Sequence, residues 1–175
     1  MKKMMILLLF VLLFLSGLCG CADRPSVLDA DTVLDAICRS QKDLPPASVV
    51  WQTGAPPETA AALTEDRAAL LYDGRRGQGF PLLSRLKSAR VRLADGLCGC
   101  EIHILQVADP ADLPQTETLL RARLEELQRR EVHLFLGDEY ERNVAAGQVI
   151  TRDRFVMLLT LPDMNAALDA VDRLF

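Results

Sequence analysis

Residues 89–107 read ARVRLADGLCGCEIHILQV, and the reading of this stretch decides the fold. Ala89-Arg90-Val91-Arg92-Leu93-Ala94 alternates with a period of two, which is the pattern of a strand. Asp95-Gly96 is a two-residue hairpin signal, because both residue types tolerate the positive φ that tight hairpin turns require. Leu97 to Val107 returns as the second strand. An antiparallel hairpin is therefore expected in mid-chain.

Outward from it, the pattern recurs. Asp112 to Arg130 predicts an amphipathic helix, with Pro114 in its first turn and Leu120, Leu124 and Leu127 on one face. Glu139 to Ala146 predicts a short helix stopped by Gly147. Gln148 to Thr151 and Arg154 to Leu161 predict a second hairpin around Arg152-Asp153, and Phe155-Val156-Met157-Leu158-Leu159 is apolar on both faces, the mark of a central strand. Asp163 caps a terminal helix whose stripe is Met164, Ala167, Leu168, Val171, Leu174 and Phe175. Toward the N-terminus, Asp31-Thr32 caps a helix to about Gln41, which Leu44-Pro45-Pro46 ends. Pro56-Pro57 opens a helical stretch through Leu71, and residues 73–81 (DGRRGQGFP) read as loop. Two hairpins, each followed by a helix, predict an α+β domain: an antiparallel sheet with helices packed on one face. With 175 residues in all, residues 31–175 are expected to form a single domain.

The start of the chain is of another kind. Met1-Lys2-Lys3 is basic, and Met4 to Leu15 is an unbroken apolar run of twelve residues. Such a run spans about 18 Å as a helix, short of a ~30 Å hydrocarbon core, so residues 1–20 read as an export leader. Extending the segment through Leu18 or Cys21 reaches a marginal spanning length, and an uncleaved signal anchor is the alternative. Leu18-Cys19-Gly20-Cys21 places an aliphatic residue three before Cys21 and a small residue directly before it, the pattern of a lipobox. Cys21 is thus the expected lipidation site: its thiol would take a diacylglyceryl group and become the mature N-terminus. Two acyl chains hold a protein stably where one does so only marginally, at about 0.8 kcal/mol per buried CH₂. Residues 21–30 form a short membrane-proximal spacer.

Charge narrows the partners. Twenty Lys and Arg stand against 24 Asp and Glu, a net charge of −4, or −6 if Lys2 and Lys3 leave with the leader. A mildly acidic body lacks the basic footprint of a general nucleic-acid binder. The expected partners are the membrane, through the lipid anchor, and a protein of the cell envelope.

Five cysteines stand at 19, 21, 38, 98 and 100. Processing at Cys21 leaves Cys38, Cys98 and Cys100, an odd set that cannot pair completely within one chain. In a strand, the Cα atoms of Cys98 and Cys100 would lie about 6.6 Å apart, at the far edge of disulfide range. Three readings stay open: small core cysteines beside a bulge-making Gly99, a bridge from Cys38 to one of the pair, or metal or redox chemistry with His103.

The features from about residue 31 onward resemble an uncharacterised family of bacterial lipoproteins, mainly Gram-positive, catalogued as a domain of unknown function. The resembling features are the apolar strand Glu101-Ile102-His103-Ile104-Leu105 and a helix with Arg121, Arg123 and Leu124. Tyr140 in a short polar stretch, Val149, and the final strand Arg154-Phe155-Val156-Met157-Leu158 complete them, behind a lipobox cysteine. Where the family usually has Gly-Asn or Gly-Lys between the last two strands, this chain has Arg152-Asp153. The resemblance implies location and fold and assigns no activity.

Signatures of chemistry are absent from the sequence. It has no Gly-x-Ser-x-Gly elbow, His-Glu-x-x-His helix, phosphate-binding loop or dinucleotide fingerprint, so no catalytic residue, cofactor or metal is expected. His103 faces opposite to Ile102 and Ile104 and reads as a surface or internally satisfied histidine; His133 has no partner near it in sequence. Gly74-Arg75-Arg76-Gly77-Gln78-Gly79 is the most suggestive cluster, since Arg75 and Arg76 beside open backbone amides are able to hold a phosphate or anionic head group; a solvated loop is the plainer reading. Arg121, Arg123, Arg129 and Arg130 among Glu117, Glu125, Glu126 and Glu131 read as a salt-bridged solvated face. The expected function is that of a membrane-anchored, extracytoplasmic accessory or structural binding protein. A small-ligand or peptide receptor is the alternative, and a thiol-dependent or hydrolytic envelope enzyme the third.

Overall fold

A computed structural model of the protein describes residues 28–72, 82–94, 97–129 and 136–175. Five strands form one sheet: β1 (Ala47–Gln52), β2 (Leu86–Ala94), β3 (Glu101–Val107), β4 (Gln148–Arg152) and β5 (Phe155–Thr160). Their order is β1-β2-β3-β5-β4, and every neighbouring pair is antiparallel. The helices are α1 (Ala30–Ser40), α2 (Glu65–Tyr72), α3 (Leu82–Arg85), α4 (Leu113–Leu127), α5 (Gly137–Ala145) and α6 (Met164–Asp172). This is the expected α+β class.

The two expected hairpins lie side by side, with β3 pairing β5. Both of these interior strands are buried at every position. Ile102, Ile104, Phe155, Met157 and Leu159 point to one side, where α1 and α6 cover them with Val33, Ile37, Ala167 and Val171. Leu105, Val156 and Leu158 point to the other, under Ala68 and Leu71 of α2 and Leu120 of α4. Helices therefore cover both faces of the sheet, and the expectation of a single covered face is corrected. The physical reason is the continuous apolar run: a strand such as Phe155–Leu159 would leave alternate large side chains in water under a two-layer arrangement.

Local chemistry sets the ends of these elements. Asp29, two residues before the expected cap, begins α1 by accepting the Thr32 amide at 2.8 Å. Asp163 caps α6 as expected, accepting from the Ala166 amide at 2.9 Å. Gln41 ties the two helices together: its Nε2 donates to the Asp163 carbonyl at 2.8 Å, and its Oε1 accepts the Asp163 amide at 3.1 Å. In the second hairpin Arg152 pairs with Phe155, and Asp153 takes a φ of 47°, a left-handed conformation that Asp accepts more readily than most residues.

One strand is added and two expected elements start later. β1, which the sequence reading passes over, is an edge strand. The helix expected from Pro56 begins only at Glu65, because turns occupy the residues before it. β3 begins at Glu101 rather than Leu97, since Gly99 adopts a φ of +67° and turns the chain before pairing starts. Asp95-Gly96, the 73–81 loop and residues 130–135 lie outside the described residues.

Candidate functional site

Among the described residues, four polar side chains converge beneath α4, on the face of the sheet that α2 also covers. Period-two alternation on β3 aims Glu101 and His103 to that side. Arg123 reaches down from α4, and Tyr72 closes the cluster from the last turn of α2. Arg123 Nη2 donates to Glu101 Oε1 at 2.6 Å and its Nε to Oε2 at 3.1 Å, a two-point clamp. His103 Nε2 lies 2.8 Å from Glu101 Oε2, and Tyr72 Oη lies 2.6 Å from His103 Nδ1. The rings of Tyr72 and His103 meet edge-on, with centroids 5.6 Å apart.

The protons in this chain follow from its chemistry. Burial would raise the Glu101 carboxyl, but the hydrogen bond from His103, then the hydrogen bonds and positive charge of Arg123, overcome it and hold the group at about 2. An ionised Glu101 only accepts, so His103 Nε2 is the donor. Burial, reinforced by the charge of Glu101, pushes the Tyr72 phenol up, so it keeps its proton and donates it to His103 Nδ1. The result is a relay, Tyr72 to His103 to Glu101, anchored by Arg123. His103 is fully buried. It is the internally satisfied histidine of the sequence reading, and each of its nitrogens already has a partner.

The cysteines do not join this relay. Cys38, Cys98 and Cys100 carry thiols rather than disulfides. Cys38 packs half-buried on α1 against the apolar side chains between that helix, α6 and the sheet, so the bridge to Cys98 or Cys100 is not formed. Cys98-Gly99-Cys100 turns toward α5: Asn143 Nδ2 donates to the Cys98 carbonyl at 2.8 Å and lies 3.3 Å from Cys100 Sγ. A Cβ on Gly99 would fall 2.7 Å from Val144 Cγ2 and 2.8 Å from Tyr140 Cδ2, so the approach of α5 requires glycine there. Burial and the neighbouring Cys98 push the Cys100 thiol up to about 12, whereas a reactive cysteine needs the opposite shift. Among the described residues, no group of three or more His, Cys, Asp and Glu side chains is placed to hold a metal ion.

Comparison with known proteins adds nothing to this geometry. No family model, curated protein or solved structure matches the chain.

The remaining candidates divide by place. Cys21, the loop with Arg75 and Arg76, and His133 lie outside the described residues. On α4, Arg121 pairs outward with Glu117 at 2.6 Å as expected, but Arg123 does not belong to the solvated face. Its spacing from Leu120 and Leu127 puts it on the buried stripe, and that spacing was the available signal. An open groove of about 500 Å³ lies at the other end of β3, lined by Leu28, Lys87, Gln106, Asp153, Arg154 and Phe155. It is separate from the relay.

Proposed function

We propose that the protein is a membrane-tethered, extracytoplasmic lipoprotein whose domain acts by binding within the cell envelope rather than by catalysis, as the resemblance to uncharacterised bacterial lipoproteins implies. The tether rests on the lipobox Leu18-Cys19-Gly20-Cys21, seven residues ahead of Leu28, where the described domain begins. The binding reading rests on one observation: every polar atom of the Tyr72–His103–Glu101–Arg123 relay that could attack or protonate a substrate is already bonded to a neighbour inside the core. A general acid or base needs a substrate within hydrogen-bond reach, and a nucleophile needs an open approach. Among the described residues, no helix is long and apolar enough to cross a membrane.

Metabolic labelling with a radioactive fatty acid tests the tether. Label should enter the wild-type chain and be lost from Cys21→Ala; a variant that kept its label would overturn the assignment. Crosslinking in intact membranes then identifies the envelope neighbour.

The groove at Leu28 favours a second reading, a receptor for a small ligand or peptide. It joins the cations Lys87 and Arg154, beside the carboxylate of Asp153, to the apolar Leu28 and Phe155, a mixture that suits an amphipathic ligand. Loss of ligand binding in Lys87→Glu and Arg154→Glu together would favour it.

A further inference from the structure

We propose that Arg92 is a binding site for an oxyanion, a carboxylate or phosphate group supplied by a ligand from outside this chain. The inference goes beyond the tethered-binding reading and does not depend on the anchor. It rests on how this chain treats its arginines. Arg90 and Arg92 stand two apart on β2, on the face that α1 covers. Arg90 is clamped at two points by Asp31 from the first turn of α1, and Arg123, on the opposite face, is clamped likewise by Glu101. Those two side chains retain 13% and 16% of their exposure. Arg92 is buried where Arg90 and Arg123 are half-buried, and among the described residues no carboxylate bonds it. Its Nη2 donates to the Pro45 carbonyl, while its Nη1 is buried with no partner at all.

A guanidinium cannot shed its proton to escape burial, and a buried charge without a counter-charge is among the costliest arrangements a fold can keep. Among the described residues, the neighbours do not supply one. Burial raises the Cys38 thiol and pushes Cys100 up to about 12, so the two sulfurs within electrostatic reach of Arg92 stay neutral. Arg39, in the last turn of α1, is another cation, paired with Asp35 on the outside of the helix. Gln41 is committed to Asp163 through both of its terminal atoms.

The edge of the sheet lies beside Arg92. Its cross-strand partner Val50 lies on the edge strand β1 and is 42% exposed. Pro45, which meets Nη2, belongs to an irregular segment and has no N–H whose bonding would oppose displacement. An oxyanion entering there would bridge Nη1 and Nη2, replacing a single carbonyl with two charge-assisted hydrogen bonds.

The test follows thermal unfolding of the purified full chain in detergent at constant ionic strength, with chloride replaced stepwise by phosphate in one series and by malonate in another. The melting temperature of wild type and of Arg154→Met should rise saturably by several degrees in at least one series, while Arg92→Met should not respond and should melt no lower than wild type without either anion. The series with the larger rise assigns a phosphate or a carboxylate ligand. Side-chain nitrogen NMR of the wild-type protein provides a readout that needs no variant: the Arg92 resonances should move with the same titration. No response in either series, or an equal one in Arg92→Met, would overturn the proposal.

Discussion

Two inward-facing arginines lie on opposite faces of the same sheet and face opposite fates. Arg123 comes down from α4 and finds a carboxylate, whose oxygens it shares with a histidine already held by a tyrosine. Arg92 rises from β2 toward α1 and finds one carbonyl for Nη2 and no hydrogen-bond partner for its buried Nη1. A saturated network stabilises one arrangement of the core and offers nothing to a ligand, whereas an unsatisfied buried charge weakens the fold and is available to bind. On this contrast, structure-keeping belongs to the relay and recognition to the region of Arg92.

The largest effect should come from breaking the relay. Arg123→Met leaves Glu101 buried without its clamp and should lower unfolding free energy by about 3–5 kcal/mol, measured by urea denaturation. Adding Glu101→Gln to that variant should recover part of the loss, because the orphaned charge disappears. A single-variant loss below about 1 kcal/mol would mean that the clamp holds nothing.

Acid titration probes the same network without mutation. Glu101 stands near 2 in the folded protein against an ordinary 4.5, so the folded state binds fewer protons than the unfolded one between those values. Its contribution, roughly 3 kcal/mol at most, is complete above about pH 5 and is lost as the pH falls toward 2. Glu101→Gln should flatten that part of the stability–pH curve, and an unchanged slope would contradict the assignment.

A smaller effect sits at the turn into β3. Gly99→Ala meets both a φ of +67° and two side chains closer than 3 Å, and should cost about 2–3 kcal/mol. Arg92→Met should be the smallest and of opposite sign, a gain of about 1 kcal/mol in the absence of anions, since an apolar side chain of similar length removes a charge nothing balances. Equal losses on both faces would erase the contrast between the two arginines.

Much of the architecture was legible because local signals coincide with it. Asp163 caps α6, Gly147 follows α5, and the unbroken apolar run Phe155–Leu159 already implied cover on both sides, although counting hairpins and helices alone pointed to one. β1 escaped because Ala47–Gln52 is largely exposed along an edge and carries no burial pattern. The relay was less legible than the fold. His103 was visible as a residue facing away from its isoleucines, but Tyr72 lies 31 residues away and Arg123 another 20 beyond His103, and only strand register and helix placement bring them together. Arg92 reads in the sequence as one more polar position in an alternating strand. Nothing local distinguishes it from Arg90, because what separates them is the placement of Asp31 on a helix some 60 residues earlier.

The tether carries the account of where this domain works, and mass spectrometry of the N-terminal peptide from membrane-extracted protein addresses it most directly. A lipid-tethered chain gives a peptide that starts at Cys21 and bears a diacylglyceryl thioether. A peptide that starts at Met1 with unmodified cysteines would contradict the tether.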